Sequence, residues 1–192
     1  QCEANAADAI AIGTSAFADG TNAISIGNIV RSRSSDISIG SNAGRYASSG
    51  SSNVRIGNSA SNFSCSSSVY IGSNSGRNAN NGNFNAAVGT DSLKSTTGDN
   101  NTAIGYQAGE NLSTGNNNTL IGSNSAPSVN TISNEITLGD SSVSTLRCAV
   151  TTITSLSDER DKSDIKDLEY GLDFIDSLQP REFVWDNRVE TR

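Results

Sequence analysis

Side chains able to do chemistry are scarce in this sequence, and most of them stand alone. Histidine is absent, which removes the usual general base. Cys2, Cys65 and Cys148 are odd in number and far apart with no CxxC pair, supporting neither a zinc knuckle nor a redox motif. They read as plain thiols, an inter-chain bridge being the minority reading. Residues 1–156 hold nine acidic residues, scattered singly, whereas carboxylate-driven hydrolysis needs a facing pair. No multiple-turnover activity, metal or cofactor is expected there. The one dense cluster of reactive groups is Ser157-Asp158-Glu159-Arg160-Asp161-Lys162. A serine hydroxyl is a weak nucleophile that needs a base beside it. Lysine can be that base only when neutral, which requires burial that pulls its pKa down from about 10.4. Taken alone, a serine five residues before a lysine is more ordinarily a turn cap and a solvated charge, so the surrounding elements must decide.

Composition bounds those elements. Of 192 residues, 34% are hydrophobic and 5% aromatic, well below the ~45–50% apolar content of ordinary globular domains. Ser, Asn, Gly and Thr fill the gap. Too few large side chains exist for a layered core, but a thin solenoid needs only a few inward residues per turn. The net charge of −7 argues against nucleic acid, which demands clustered Lys and Arg. No apolar run approaches the roughly 20 residues that span a bilayer, so membrane insertion is not expected. Gln1–Gly13 lacks the basic and apolar regions of a secretion signal.

The dominant pattern is a repeat. An aliphatic–Gly pair recurs nine times: Ile12-Gly13, Ile26-Gly27, Ile39-Gly40, Ile56-Gly57, Ile71-Gly72, Val88-Gly89, Ile104-Gly105, Ile121-Gly122 and Leu138-Gly139. Successive glycines lie 14, 13, 17, 15, 17, 16, 17 and 17 residues apart. Two positions before each aliphatic stands a similar residue, in pairs such as Ile10/Ile12, Val54/Ile56 and Ile136/Leu138, and the residue between them varies freely (Ser25, Arg55, Tyr70, Leu120). This period-2 pattern predicts short strands, with the aliphatic pair turned inward and Arg55 and Tyr70 pointing away from the core. The glycine permits a turn that a Cβ would obstruct. The small residue three positions later (Ala16, Ala43, Ala60, Ser75, Ser92, Ala108, Ser125) predicts a tightly packed second strand or corner. One repeat is then one coil of an all-β, repeat-built parallel β-solenoid or β-roll over residues 1–140. Two strong apolar residues per coil bury little, and lateral association of three copies would cover a second apolar face.

Segments Asn100–Gly109 (NNTAIGYQAG) and Asn117–Gly122 (NNTLIG) resemble the head repeats of trimeric adhesins of the Yersinia adhesin type, a left-handed parallel β-roll. They look still more like repeats of phage and algal-virus tail-fibre proteins. The resemblance covers about residues 9–140 and implies a homotrimer. Other solenoids fit less well: the Gly-Gly-x-Gly-x-Asp nonapeptide of calcium-binding rolls does not occur. An ice-binding face would need an outward Thr ladder, where Arg55, Tyr70 and Leu120 are read as outward instead.

At Ser157 the chain changes character. Residues 157–192 carry 17 charged residues, against 16 in residues 1–156, and contain Trp185. Ile165, Leu168, Leu172, Ile175 and Leu178 recur at helical spacing, predicting a short helix near Leu172–Leu178 that stops before Pro180. Leu156-Ser157-Asp158-Glu159-Arg160-Asp161-Lys162, with Gly171-Leu172-Asp173-Phe174-Ile175 and Leu178-Gln179-Pro180 … Phe183-Val184-Trp185, closely resembles the endosialidase-type C-terminal chaperone domain of phage fibres and spikes. The same Ser-Asp-x-Arg-x-Lys element occurs in myelin regulatory factors. The resemblance implies a domain that promotes trimer assembly of the preceding β segment and then detaches through a Ser–Lys dyad. Ser157 would be the nucleophile and Lys162 the base, with Asp158 and Arg160 as supporting motif positions. Attack on the preceding carbonyl passes through a five-membered ring and favours the Leu156–Ser157 bond, with Ser157–Asp158 the alternative. A trimer interface would supply the burial that Lys162 needs. Family members continue into long helices past the Phe-x-Trp element, so residues 157–192 read as an incomplete start of that domain. Residues 141–156, with Val143, Leu146, Val150 and Ile153, read as a β linker to the cleavage site. The expectation is a virion tail-fibre or spike segment, extracellular when acting, whose partners are two further copies of itself and a host cell-surface receptor, glycan or protein. Arg45, Arg55, Tyr70, Arg77 and Tyr106 are candidate receptor contacts. The alternative is the head of a bacterial trimeric autotransporter adhesin.

Overall fold

The computed structural model describes residues 1–149 and Leu178, and Gln1–Leu146 form one compact unit. Its strands are short: β1 (Glu3–Ala4), β2 (Ile10–Ile12), β3 (Phe17–Ala18), β4 (Ile24–Ile26), β5 (Arg31–Ser32), β6 (Ile37–Ile39), β7 (Val54–Ile56), β8 (Val69–Ile71), β9 (Ala86–Val88), β10 (Thr102–Ile104), β11 (Thr119–Ile121) and β12 (Ile136–Leu138). The nine three-residue strands form one parallel sheet in the order β12-β11-β10-β9-β8-β7-β6-β4-β2, and β1, β3 and β5 form a second. Every long strand pairs with its neighbour residue for residue, as in Ile24↔Ile37 and Ile26↔Ile39, then Ile37↔Val54 and Ile39↔Ile56. Spatial order equals sequence order, so each repeat is one coil, and the unit is a parallel β-solenoid as the periodicity predicts.

The glycine after each strand is required by stacking as well as by its own backbone. Gly13, Gly27, Gly40, Gly57, Gly72, Gly89 and Gly105 have φ between 122° and 140°. A Cβ on each would stand 2.1–2.5 Å from the carbonyl oxygen of the corresponding glycine one coil on, closer than real contacts permit. The other corners are left-handed too. The residue two before each long strand has positive φ throughout, filled by Asp8, Asn22, Ser35, Ser52, Ser67, Phe84, Asn100, Asn117 and Asn134. Asn, Asp and Ser dominate there, Asn and Asp because their short polar side chains tolerate this conformation best after glycine.

The residue immediately before each strand forms a second, buried ladder. From Asp36 onward, each side-chain oxygen accepts the backbone N–H of its counterpart one coil later: Asp36 from Asn53 (2.9 Å), Asn53 from Ser68 (3.1 Å) and Ser68 from Asn85 (3.1 Å). The series continues through Asn85 to Asn101 (2.8 Å), Asn101 to Asn118 (3.0 Å) and Asn118 to Glu135 (2.9 Å). The amide groups of Asn53, Asn85, Asn101 and Asn118 donate across the coil to carbonyls of Cys65, Gly98, Gly115 and Ile132 at 2.8–2.9 Å. Buried amides are tolerated because nearly every donor and acceptor is used.

The strands alternate as expected, but with the opposite parity. The middle residues Ser25, Ser38, Arg55, Tyr70, Ala87, Ala103 and Leu120 are buried, while the flanking aliphatics are half-buried or exposed. Arg55 and Tyr70, expected to point outward, are fully enclosed. The interior is narrow: of each three-residue strand only the middle residue enters it, where it joins Leu93, Leu112 and the small residues Ala16, Ala43, Ala60, Ser75, Ser92, Ala108 and Ser125, all buried. Volume rather than hydrophobicity decides occupancy. Tyr70 fits because Gly76 lies across from it, where a Cβ would stand 2.2 Å from the ring. The outward positions carry Ile, Val and Leu, with Ala86, Thr102 and Thr119 as exceptions, so no flat Thr ladder forms there.

After Gly139 the chain makes a turn at Ser141–Ser142 and continues without strand through the described residues 141–149. Among the described residues no further coil offers them a ladder, and the rest of the expected linker, residues 150–156, lies outside the described residues.

Candidate functional site

Each long strand presents its two flanking residues on the outer surface, and register stacks them into two parallel files. One file runs Ile10, Ile24, Ile37, Val54, Val69, Ala86, Thr102, Thr119, Ile136; the other runs Ile12, Ile26, Ile39, Ile56, Ile71, Val88, Ile104, Ile121, Leu138. At a strand spacing of about 4.8 Å, eight steps extend the double file over roughly 38 Å. The second file is the more open, with Ile12 at 56%, Ile104 at 45% and Leu138 at 52% exposure, while the first is exposed at Ile10 and Ile136 and half-buried between them. Single exposed aliphatics are ordinary, but a stripe of this length is the candidate contact surface of the solenoid.

The interior holds a charged centre built on Arg55, a residue that the period-2 pattern places on the surface. The Arg55 guanidinium donates to Asp36 at 2.8 Å with both side chains fully buried. Asp36 also accepts from the backbone and side-chain amides of Asn53 and from the Arg33 backbone. Arg55 reaches the Cys65 sulfur at 3.5 Å, and Ser61 lies 3.4 Å from the same atom. Burial works against the charged guanidinium, but Cys65 and Asp36 outweigh it and hold the group above its ordinary pKa. Burial, reinforced by Cys65, pushes the Tyr70 phenol well up. The centre is closed on all sides and has no route for a substrate; it is a structural pair. Its signal in the sequence is a carboxylate and a guanidinium that fall in adjacent coils once the chain is folded at its repeat length.

Among the other sequence candidates, Arg45, Arg77 and Tyr106 are exposed. Arg45 and Arg77 follow the corner after the glycine, whereas Tyr106 lies on the glycine turn itself, so the three do not form one group. Cys65 is a buried free thiol, and Cys2 and Cys148 are exposed free thiols. Among the described residues no group of three or more His, Cys, Asp or Glu could hold a metal ion. No described helix is long and apolar enough to cross a membrane. Leu156, Ser157, Asp158, Arg160 and Lys162 lie outside the described residues, as does the helix expected near Leu172–Leu178 save for Leu178 itself, which is exposed.

The fold thus defines a parallel β-solenoid with one long uncovered apolar stripe. The segment that follows has a family likeness: residues 157–192 match the family described as chaperone of endosialidase. No curated protein and no solved structure shows a significant match to the chain.

Proposed function

We propose that this chain is the structural, receptor-binding segment of a viral tail fibre or spike, assembled as a homotrimer whose C-terminal segment is an intramolecular chaperone. The observation that carries the reading is the in-register double file of aliphatics left open on a single chain. A stripe that follows the solenoid axis is covered most simply by identical chains running in parallel around a common axis. Parallel chains bring all their C-terminal segments to one end, where a shared assembly domain can act. The chaperone match at 157–192 supports that arrangement over an autotransporter head.

Release follows by autoproteolysis. Neutral Lys162 accepts the hydroxyl proton of Ser157 as its oxygen bonds to the Leu156 carbonyl carbon. The carbon–nitrogen bond breaks and the proton passes to the Ser157 nitrogen. Water then hydrolyses the ester, freeing the Leu156 carboxylate and the Ser157 hydroxyl. Intact mass of the precursor, wild type beside Ser157→Ala, tests the cleavage: two fragments summing to the precursor plus water are expected only from wild type. Native mass of the uncleaved variant counts chains, and a monomer there refutes the assembly reading.

A further inference from the structure

Outside the stripe, one corner of the solenoid concentrates the charge and rings. Of the seven basic residues in 1–149, Arg31, Arg33, Arg45, Arg77 and Lys94 all lie seven to nine residues after the start of a long strand. Arg55 is buried and Arg147 follows the last coil. Phe17, Tyr46 and Phe63 occupy the same corner positions. The groups are in contact: the Arg31 guanidinium lies 5.9 Å from the Phe17 ring centre and that of Arg45 lies 4.9 Å from Tyr46. Tyr46 and Phe63, one coil apart, have ring centres 5.8 Å apart. Beside Tyr46, on the side away from Phe63, opens a shallow cleft of about 210 Å³, lined by Phe17, Ile29, Arg31, Arg45 and Tyr46 among others. Ile29, a β-branched residue, adopts φ 53° at the cleft wall, where other coils carry Ser, Asn, Asp or Gln. Such strain gathers at binding sites.

The charges are not equally available. Arg31 is held by Asp19 at 2.9 Å, and Lys94 by Glu110 at 2.8 Å and Asp91 at 3.2 Å. Among the described residues Arg45 and Arg77 have no carboxylate within 4 Å, and Arg45 is met only by Asn42 at 3.5 Å. Arg45, stacked on Tyr46 and lining the cleft, is a guanidinium without a counter-charge among the described residues of a protein of net charge −7.

We infer that this corner is a binding site for a carboxylate-bearing polysaccharide. Arg45 would take the sugar carboxylate through its planar fork, while the faces of Phe17, Tyr46 and Phe63 would receive the pyranose C–H surfaces. Backbone groups here are committed to the coils above and below, as in Phe17 N–H to Val30 and Tyr46 N–H to Asn62. A peptide adding as a strand would find no free edge, so recognition falls to side chains. Two unneutralised cations are too few for a nucleic acid backbone. The corner offers at least one ring or guanidinium per coil over five coils, from Phe17 to Arg77, a spacing suited to an extended polymer of sugar units.

This inference rests on the receptor-binding reading and specifies its ligand, and its test is independent of assembly and cleavage. Binding of the assembled chain to immobilised polygalacturonate, alginate and hyaluronate is measured beside dextran and dextran sulfate. Saturable binding to at least one carboxylated polymer is expected, with none to dextran and weaker binding to dextran sulfate. Arg45→Ala and Tyr46→Ala should each weaken it tenfold or more, and Phe84→Ala, an exposed ring off the corner, should leave it unchanged. Absence of binding to all three carboxylated polymers overturns the site, as does equal binding to dextran sulfate or binding that survives both corner variants. A trimer that assembles and cleaves yet binds none of them removes this inference alone.

Discussion

Arg55 and Asp36 show how a charged pair can stand fully buried inside a narrow coil. The two are adjacent in space only because Asp36 precedes β6 and Arg55 sits at the centre of β7, one coil on. Asp36 thereby serves both as the first member of the polar ladder and as the counter-ion. Removing one partner strands a buried charge, which costs about 3–5 kcal/mol. Arg55→Met should therefore lower stability by that order in urea unfolding of the assembled chain. Arg55→Met with Asp36→Asn should recover most of the loss, since the asparagine keeps the oxygen that accepts from Asn53. A double variant as unstable as the single one would show that packing, not charge, is at stake. This pair also marks where the sequence was opaque. A lone arginine between Val54 and Ile56 reads as an outward residue by every local rule. Its partner lies 19 positions back, and only folding at the coil length brings them together. By contrast the role given to Ser157 and Lys162 came from resemblance, since nothing in a Ser-x4-Lys spacing alone distinguishes it.

At the scale of the element, register was readable and orientation was not. Nine Ile-Gly-type steps located every long strand, because a glycine ladder and period-2 alternation are properties of neighbouring residues. Which parity faces inward depends on the width of the coil, which is set by Ala60, Ser75, Ala87 and Ala103 packing across it. The more apolar set was assigned to the core, and it forms the outer stripe instead. The polar ladder was hidden for a related reason: Asn53, Asn85, Asn101 and Asn118 look like turn residues, and only their recurrence directly before each strand betrays a stacked, buried role. The glycine ladder yields a prediction at this scale. Coils interact with their nearest neighbours, so stability is close to a sum of coil and interface contributions. A Cβ at Gly72 would lie 2.5 Å from the Gly89 carbonyl oxygen on a backbone of φ 134°. Gly72→Ala should thus cost more than about 3 kcal/mol, whereas Thr90→Ala at an exposed site should fall within about 0.5 kcal/mol. Denaturation followed by hydrogen exchange should show the loss centred on β8 and β9. Uniform loss across all coils would mean that the solenoid melts as one cooperative block.

In the proposed assembly the whole molecule joins two demands that three parallel chains would meet together. Its outer stripe of aliphatics needs a partner, and the proposed dyad needs a lysine stripped of water. Assembly of three parallel chains answers both if the association that covers Ile104 and Ile121 also encloses Lys162. Neutral lysine is disfavoured in water at pH 7 by about three pKa units, or roughly 4 kcal/mol, so the base forms only where burial supplies that free energy. Ile104→Asp with Ile121→Asp places two carboxylates in the centre of the stripe. Neither residue is part of the buried interior, so the coil itself should still form, with an unchanged far-ultraviolet dichroism spectrum. Native mass should then find monomer, and intact mass should find uncleaved precursor over a time in which wild type is fully processed. Cleavage at the wild-type rate in that monomer would separate proteolysis from assembly and leave the stripe without its proposed regulatory role. A variant that stays trimeric and cleaves would instead move the contact surface elsewhere on the solenoid.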